Sequence, residues 1–390
     1  MAEAFLVGGV RTPIGKYGGQ LAGVRPDDLA ALVVGEAVRR AGVDPDRVDE
    51  VVLGAANQAG EDNRNVARMA LLLAGLPDHV PGYTVNRLCA SGLTAVSMAA
   101  AQIRAGEADV VVAGGVESMT RAPYVMAKPG TPWAKAPEVF DTSLGWRFVN
   151  PSMRAVPKRT LTMGETAEEV AALDGITRED SDRWALRSHH RAVDAQKAGR
   201  FDAEIVAVEG NDADEGPRPG SSLEKLASLK AVFKEDGIVT AGSSSPLSDG
   251  AAALVVASEA AVQRYGLTPR ARVVTNVAAG VEPHLMGLGP VPATQKALDR
   301  AGWSAGDLDA VELNEAFAVQ VLACLRRLGI EEEPVNADGG AIALGHPLGC
   351  SGARLTVTLL GRMERENARR GLATMCVGVG QGASMLVERV

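Results

Sequence analysis

Five histidines and four cysteines are spread over 390 residues, and few of them sit where chemistry is the natural reading. His346 lies in Gly339-Gly-Ala-Ile-Ala-Leu-Gly-His346-Pro-Leu-Gly-Cys-Ser-Gly-Ala-Arg, a glycine-rich loop that lets the backbone approach a ligand and then opens a helix. The Lys-Ser/Thr pair of a phosphate-binding Walker loop is absent from it, which leaves a satisfied structural histidine as the reading that a functional role must displace. The other histidines have local explanations: His79 follows Leu-Pro-Asp in a turn, His189 and His190 lie on a charged helix, and His284 sits in Glu-Pro-His. Cys89, in Val85-Asn-Arg-Leu-Cys89-Ala-Ser-Gly-Leu, falls between a strand and the first turn of an Ala-rich helix. The positive end of the helix dipole is expected to lower a thiol's pKa there and favour a nucleophile; a small buried hydrophobe is the alternative. Cys376 is a second thiol at a strand's carboxyl end, ahead of Gly378, Gly380 and Gly382. That G-x-G-x-G spacing, with another apolar stretch after it, does not fit a dinucleotide fingerprint.

The elements that must position these residues come from a repeat. A helix, Ala41-Gly42, a turn and Val48-Asp-Glu-Val-Val-Leu-Gly54 return 260 residues later as a helix, Ala301-Gly302, a turn and Leu308-Asp-Ala-Val-Glu-Leu-Asn314. Val85-Asn86 and Val335-Asn336 continue the pattern, each followed by a glycine-containing turn and an Ala-rich helix, roughly 91–105 and 350–368. These helices end at Gly106 and Gly371 and run into the apolar segments Val110–Ala113 and Leu372–Val377, which read as buried strands. Ordered recurrence of the landmarks implies two α/β halves of one plan. Asn314-Glu-Ala-Phe-Ala follows the repeated strand where the first half has Gly54, so Cys89, Asn314, His346 and Cys376 are expected to converge on loops at strand ends. Residues 117–240 differ in texture, with Pro-rich loops, an amphipathic helix near 178–199 and the polar stretch 209–220; they read as an insertion lying over one half.

Composition narrows the class. Apolar residues at 46% and charged residues at 23% are ordinary for a globular enzyme, and 44 glycines imply close packing and frequent turns. The net charge of -8 argues against nucleic-acid and polybasic membrane partners. No cysteine pair has C-x-x-C spacing, so neither a disulfide framework nor a structural metal site is expected, and a reducing cytoplasm is the expected location. No apolar run approaches the roughly 18 residues that a bilayer span needs, and the N-terminus lacks a signal-peptide pattern.

Val-Asn-x-x-Cys-Ala-Ser-Gly (85–92), Asn-Glu-Ala-Phe-Ala (314–318), Gly-Gly-Ala-Ile-Ala-Leu-Gly-His-Pro (339–347) and Cys-x-Gly-x-Gly-x-Gly (376–382) together resemble the motif set of the thiolases. Arg11-Thr-Pro-Ile-Gly-Lys and Asp249-Gly-Ala-Ala-Ala also match, so the resemblance spans the chain in order. It implies a duplicated, five-layered αβαβα fold with an inserted loop domain. The N-terminal half would be residues 1–116 plus 241–267, the loop domain 117–240 and the C-terminal half 268–390. It further implies a homodimer or homotetramer, CoA thioesters as partners, coenzyme A as substrate, and no metal or covalently bound cofactor. By resemblance, Cys89 is the acylated nucleophile, His346 its activating base and Cys376 the acid/base at the substrate's α-carbon. Asn314 would hold a water that, with His346, forms one oxyanion hole, and the N–H groups of Cys89 and Gly378 would form the other. Coenzyme A would meet Ser245, Met163, Arg218 and Phe317.

Two departures bear on the substrate. Thr162 stands before Met163-Gly where biosynthetic acetoacetyl-CoA thiolases usually have His, and Gly242-Ser-Ser-Ser245 replaces Gly-Asn-Ala-Ser. Residues 56–68 and 141–151 instead resemble β-ketoadipyl-CoA and related degradative thiolases, although the insertion is shorter than theirs around 209–222. The rival classes are a ketoacyl synthase, which normally supports its nucleophile with His-His or His-Asn, and a redox protein with Cys89 and Cys376 as a switch pair.

Overall fold

In the computed structural model, which describes residues 2–133 and 135–390, strands and helices alternate twice through the same sequence of elements. The first half contains β1 (Ala4–Arg11), the short β2 (Gly15–Lys16), α1 (Pro26–Ala41), β3 (Glu50–Gly54), α2 (Val66–Leu73), β4 (Gly82–Val85), α3 (Ser91–Ala105) and β5 (Val110–Ser118). A long excursion follows, with the ribbon β6 (Tyr124–Met126) and β7 (Val139–Asp141) and the helices α4 (Pro151–Arg154), α5 (Met163–Asp174), α6 (Arg178–Lys197) and α7 (Leu223–Ala227). The chain returns as β8 (Ser248–Ser258) and α8 (Glu259–Tyr265). The second half is β9 (Pro269–Gly280), α9 (Pro290–Ala301), β10 (Ala310–Leu313), α10 (Ala318–Leu328), α11 (Ala341–Leu344), α12 (Leu348–Arg365), β11 (Arg370–Val377) and β12 (Gln381–Arg389).

Strand order repeats with the elements. The first sheet runs β4-β3-β5-β8-β1, with β8 antiparallel to both neighbours and β3 parallel to β4 and β5. The second runs β10-β11-β12-β9, with β12 antiparallel, and a parallel bridge from Val311 to Val335 stands in the place of β4. Antiparallel pairing of β1 with β9, Leu6 opposite Ala271, joins the sheets edge to edge. The duplication extends to single hydrogen bonds. Asp49 Oδ2 accepts from the N–H groups of Asp109 and Val110, and Asp309 Oδ2, 260 positions on, accepts from those of Arg369 and Arg370.

Helices cover both faces of both sheets, giving the five-layered αβαβα stack. α1 packs on the outer face of the first sheet, α9 on that of the second, and α3 and α12 lie between the sheets. This is why the strands are continuously apolar. Val51, Leu53, Val110 and Val112 point into the outer core, while Val52, Val111 and Ala113 point into the central one with Leu93, Val96, Leu355 and Leu359. α3 and α12 meet at glycines: a Cβ on Gly92 would lie 2.6 Å from the Gly349 carbonyl oxygen, and one on Gly352 would lie 2.2 Å from Leu93 N. The N-termini of the two central helices are thereby held side by side.

One helix end differs from the sequence reading. α12 stops at Arg365, with Asn367 in the left-handed region at φ 55°, and Gly371 lies inside β11. Its lack of a side chain serves packing, because a Cβ there would meet Met363 Sδ at 2.5 Å. The excursion between β5 and β8 lies over the second half: α5 packs on α10, and α6 on α10 and α11. It is also tied to the first sheet by Arg11, fully buried, which pairs with Glu204 and Asp214 at 2.6 Å each.

Candidate active site

Cys89 sits two residues before α3, at the end of a turn that the sequence builds from its own polar side chains. Asn86 Oδ1 accepts from the Leu88 N–H at 2.8 Å, and Ser91 Oγ accepts from Arg87 N–H at 2.9 Å while donating to the Leu88 carbonyl at 2.7 Å. These bonds hold Leu88 at φ 48°, a conformation an L-residue adopts only when its surroundings impose it. Cys89 stays partly accessible, and the Gly378 N–H acts on its sulphur in favour of the thiolate. The thiol pKa is pushed up to about 11. The expected lowering by the helix dipole is therefore overturned: loss of solvation dominates, and the nearby negative charge of Glu117 acts in the same direction.

Gly378 opens the β11–β12 turn, closed by the pairing of Val377 with Gln381, and Cys376 is the last residue but one of β11, opposite Gly382. Val379 at φ 64° is a β-branched residue in the left-handed region, so this turn is strained where it aims an N–H at Cys89. A Cβ on Gly378 would lie 3.3 Å from Leu88 Cδ1 and 3.5 Å from Met163 Sδ, which places three of the chain's loops against one another. Cys376 is buried, with its pKa raised well above the ordinary thiol value by burial and then by the neighbouring Cys89.

His346 precedes α12 by two residues and is buried. Its Nδ1 lies 2.6 Å from Ser351 Oγ, and that hydroxyl donates to the Pro347 carbonyl at 2.8 Å. With its proton committed there, the hydroxyl accepts from Nδ1–H, which leaves Nε2 unprotonated and able to act as a base. The Asn314 side-chain amide reaches Nε2 at 3.3 Å. Burial, aided by the positive Arg354, pushes the His346 pKa down to about 3, so the imidazole rests neutral. Thiol and imidazole both favour their uncharged forms. Asn314 is held by its N–H to the Thr374 carbonyl at 3.0 Å. Beside it Glu315 fastens the loops together, accepting from Trp184 Nε1, Asn336 Nδ2, Ser188 Oγ and the Ile342 N–H.

A cavity of about 730 Å³ opens beside these loops, large enough for a nucleotide-sized ligand. Arg218 is on its wall together with Lys16, Lys225, Leu229 and Ser244. Ser245, Met163 and Phe317 are not wall residues. Ser245 N–H donates to the Ala316 carbonyl at 3.0 Å, Ser244 bridges to Phe317, and Phe317 packs edge-on against Phe233 at 6.1 Å. They form the ground between cavity and thiols. His189, read from sequence as part of a charged helix surface, is buried on α6, lines the cavity and accepts from the Arg218 N–H at 3.3 Å through Nδ1. Its pKa is pushed down to about 4, chiefly by burial. Periodicity along α6 was the signal that could have found it; Ser351 and Glu315 had none beyond lying in motifs already singled out.

The family models for the thiolase N-terminal domain and the thiolase C-terminal domain match residues 4–260 and 267–389. The chain belongs to the thiolase family. It is 55% identical over 402 residues to the beta-ketoadipyl-CoA thiolase of Escherichia coli, covering 100% of each chain. Among solved structures, the acetyl-CoA acetyltransferase of Bacillus anthracis superposes with a TM-score of 0.94 at 43% identity, covering 100% of this chain and 99% of the other. Human mitochondrial 3-ketoacyl-CoA thiolase in complex with CoA gives 0.94 at 39% identity, with coverage of 100% and 98%. This thiolase is an acyltransferase that works on 3-ketoacyl-CoA through a cysteine thioester, with coenzyme A as a substrate. Among the described residues, no three acidic, thiol or imidazole groups are placed to hold a metal ion, and no helix is long and apolar enough to cross a membrane.

Proposed function

We propose that this thiolase is degradative, cleaving 3-oxoadipyl-CoA or a similar 3-ketoacyl-CoA with coenzyme A to give acetyl-CoA and the shortened acyl-CoA. The observation that carries the division of labour is His346, whose Nδ1 is engaged by Ser351 at 2.6 Å so that Nε2, met by the Asn314 amide at 3.3 Å, is left to act as a base. Cys89 attacks the ketone carbon while its proton passes to His346 Nε2. The bond between C2 and C3 breaks, its electron pair moves toward the thioester oxygen, and Cys376 protonates C2 so that acetyl-CoA leaves. Coenzyme A then loses its thiol proton to Cys376 and takes the acyl group from Cys89, whose departing thiolate recovers its proton from His346. Asn314 and His346 serve one oxyanion, and the N–H groups of Cys89 and Gly378 the other. Full-length similarity to the beta-ketoadipyl-CoA thiolase supports the substrate, and the Bacillus anthracis acetyltransferase supports acetoacetyl-CoA as the second reading. Comparing kcat/KM for thiolysis of acetoacetyl-, 3-ketohexanoyl-, longer 3-ketoacyl- and 3-oxoadipyl-CoA tests this; a preference for acetoacetyl-CoA selects the second reading.

Residues 1–116 with 241–267 and residues 268–390 act as the two catalytic halves, and 117–240 is the loop domain that holds coenzyme A. The protein works in the cytoplasm as a homodimer or homotetramer. Two surfaces support self-association: the unpaired edge of β4, and the exposed apolar side chains of Tyr124, Met126 and Val139 on the β6–β7 ribbon. Arg218 meets the nucleotide end of coenzyme A, and Ser245, Met163 and Phe317 flank its pantetheine arm. Loss of Arg218 to alanine should raise KM for CoA substrates with little change in kcat, because the contact binds ground and transition states alike. The cost should be about 1 kcal/mol or less, as for solvated pairs. Steady-state kinetics with an N-acetylcysteamine thioester, which lacks the nucleotide, should show no such penalty; equal loss of kcat with both donors would place the nucleotide elsewhere.

Protonation of His346 removes the base, so activity is lost as pH falls through its folded pKa. Burial holds that pKa far below the ordinary imidazole value, down to about 3. The acid limb of kcat/KM should therefore fall well below the ~6.5 of a solvated histidine. A limb centred at or above that value in the pH–rate profile would assign the base elsewhere.

A further inference from the structure

We propose that Glu117 is a positioning residue for acyl transfer: its carboxylate locks the helix that follows His346 to the turn that carries Cys89. Glu117 lies at the end of β5, is 4% exposed and has no cationic partner among the described residues. Its Oε2 accepts from the N–H groups of Gly349 at 2.8 Å and Ala56 at 2.9 Å, and its Oε1 from that of Asn57 at 3.1 Å. Gly349 is the second residue of α12, and the helix has no side-chain cap of its own. Glu117 therefore supplies from another strand the acceptor that a helix start requires, at the end of the dipole that favours negative charge.

From the same carboxylate a second line of bonds leads to the nucleophile. Ala56, whose N–H is held by Glu117, accepts at its carbonyl from Asn86 Nδ2 at 2.9 Å, and Asn86 Oδ1 accepts from the Leu88 N–H next to Cys89. The fit is close. A Cβ on Gly349 would lie 2.5 Å from the Val116 carbonyl oxygen and 2.7 Å from Ala55 Cα, so the helix rests directly on the ends of β3 and β5. Such bonds fix the relative placement of a thiol and an imidazole that precede two separate helices, which a proton transfer needs. The Glu117 charge also acts on Cys89 directly, helping to hold its thiol pKa high, while burial and the nearby Asp62 push the Glu117 pKa itself up to about 7. The proposal rests on Cys89 as nucleophile and His346 as base.

The test is Glu117→Gln, which keeps the shape but turns an NH2 group toward donors that need an acceptor. The acylation rate of Cys89, followed by mass spectrometry after rapid mixing with acyl-CoA, should fall about ten- to hundredfold, the order expected when reacting groups shift by a fraction of an ångström to one ångström. KM should stay near the unmodified value, and the pH midpoint for iodoacetamide alkylation of Cys89 should move down as the opposing charge is removed. Asn86→Ala, at an exposed residue, cuts the second line of bonds and should lower the same rate; combined with Glu117→Gln it should add little, because both break one connection. If Glu117→Gln does not fold, Asn86→Ala alone decides. Unchanged acylation in Asn86→Ala, or loss of kcat and KM together in Glu117→Gln with an unmoved alkylation midpoint, overturns the positioning role. An acyl adduct on another cysteine overturns instead the assignment of the site on which it rests.

Discussion

Replacing Cys89 with alanine should abolish acyl transfer, by at least about 10³-fold, while the protein keeps its fold and its affinity for coenzyme A. Alanine fills most of the space of the thiol, which is partly exposed, so the stability cost should not exceed about 1 kcal/mol. What is lost is the atom that forms the acyl thioester, and neither Cys324 nor Cys350 can replace it. Both are buried, and their pKa values are pushed up to about 12 by burial. Mass spectrometry of the unmodified protein after mixing with acyl-CoA should place the adduct on Cys89, and the Cys89→Ala variant should carry none. An adduct on Cys324 or Cys350 would refute the assignment.

Cys376→Ser should separate the two halves of the reaction. A hydroxyl holds its proton far more tightly than a thiol, so the variant keeps the volume but loses the group that moves a proton at the α-carbon. Acylation of Cys89 needs only the nucleophile and His346, and should persist with a good acyl donor. Deuterium exchange at the α-carbon of acetyl-CoA, followed by NMR in heavy water, should fall by about 10²-fold or more. Exchange at the unmodified rate would mean that another group carries the proton. The electrostatic influence of one thiol on the other makes this separation a sharp test, because Cys89 also raises the pKa of Cys376 and acylation removes that neighbouring ionisable thiol.

The chain's order of residues by itself determined the duplicated plan, the buried strands and the identity of the converging groups. These are local or periodic features: Asp49 and Asp309 sit at one offset in two copies of a motif, and Val110–Ala113 reads as a strand buried on both faces whatever it packs against. His346 and Cys89 could be singled out because each lies just before a helix with glycine near it, Cys376 because it ends a strand ahead of Gly378, and Asn314 because it follows the repeated strand where the first half has Gly54. Only the tertiary structure decided their electrostatics. The helix dipole is legible in sequence, but the burial of Cys89 among its packed neighbours and the charge placed near it by Glu117 are not, and together they reverse the direction of its pKa. His189 became a cavity residue for a similar reason, since a charged helix shows which side chains are polar and not which of them the loop at Arg218 will cover. Glu117 and Gly349 stand 232 positions apart, and the bond between them exists only because two sheets enclose two helices whose glycines let their N-termini meet. Hydrogen-bond partners that distant carry no spacing signal, and burial, which sets what such a bond does to a neighbouring thiol, is a property of the packed chain as a whole.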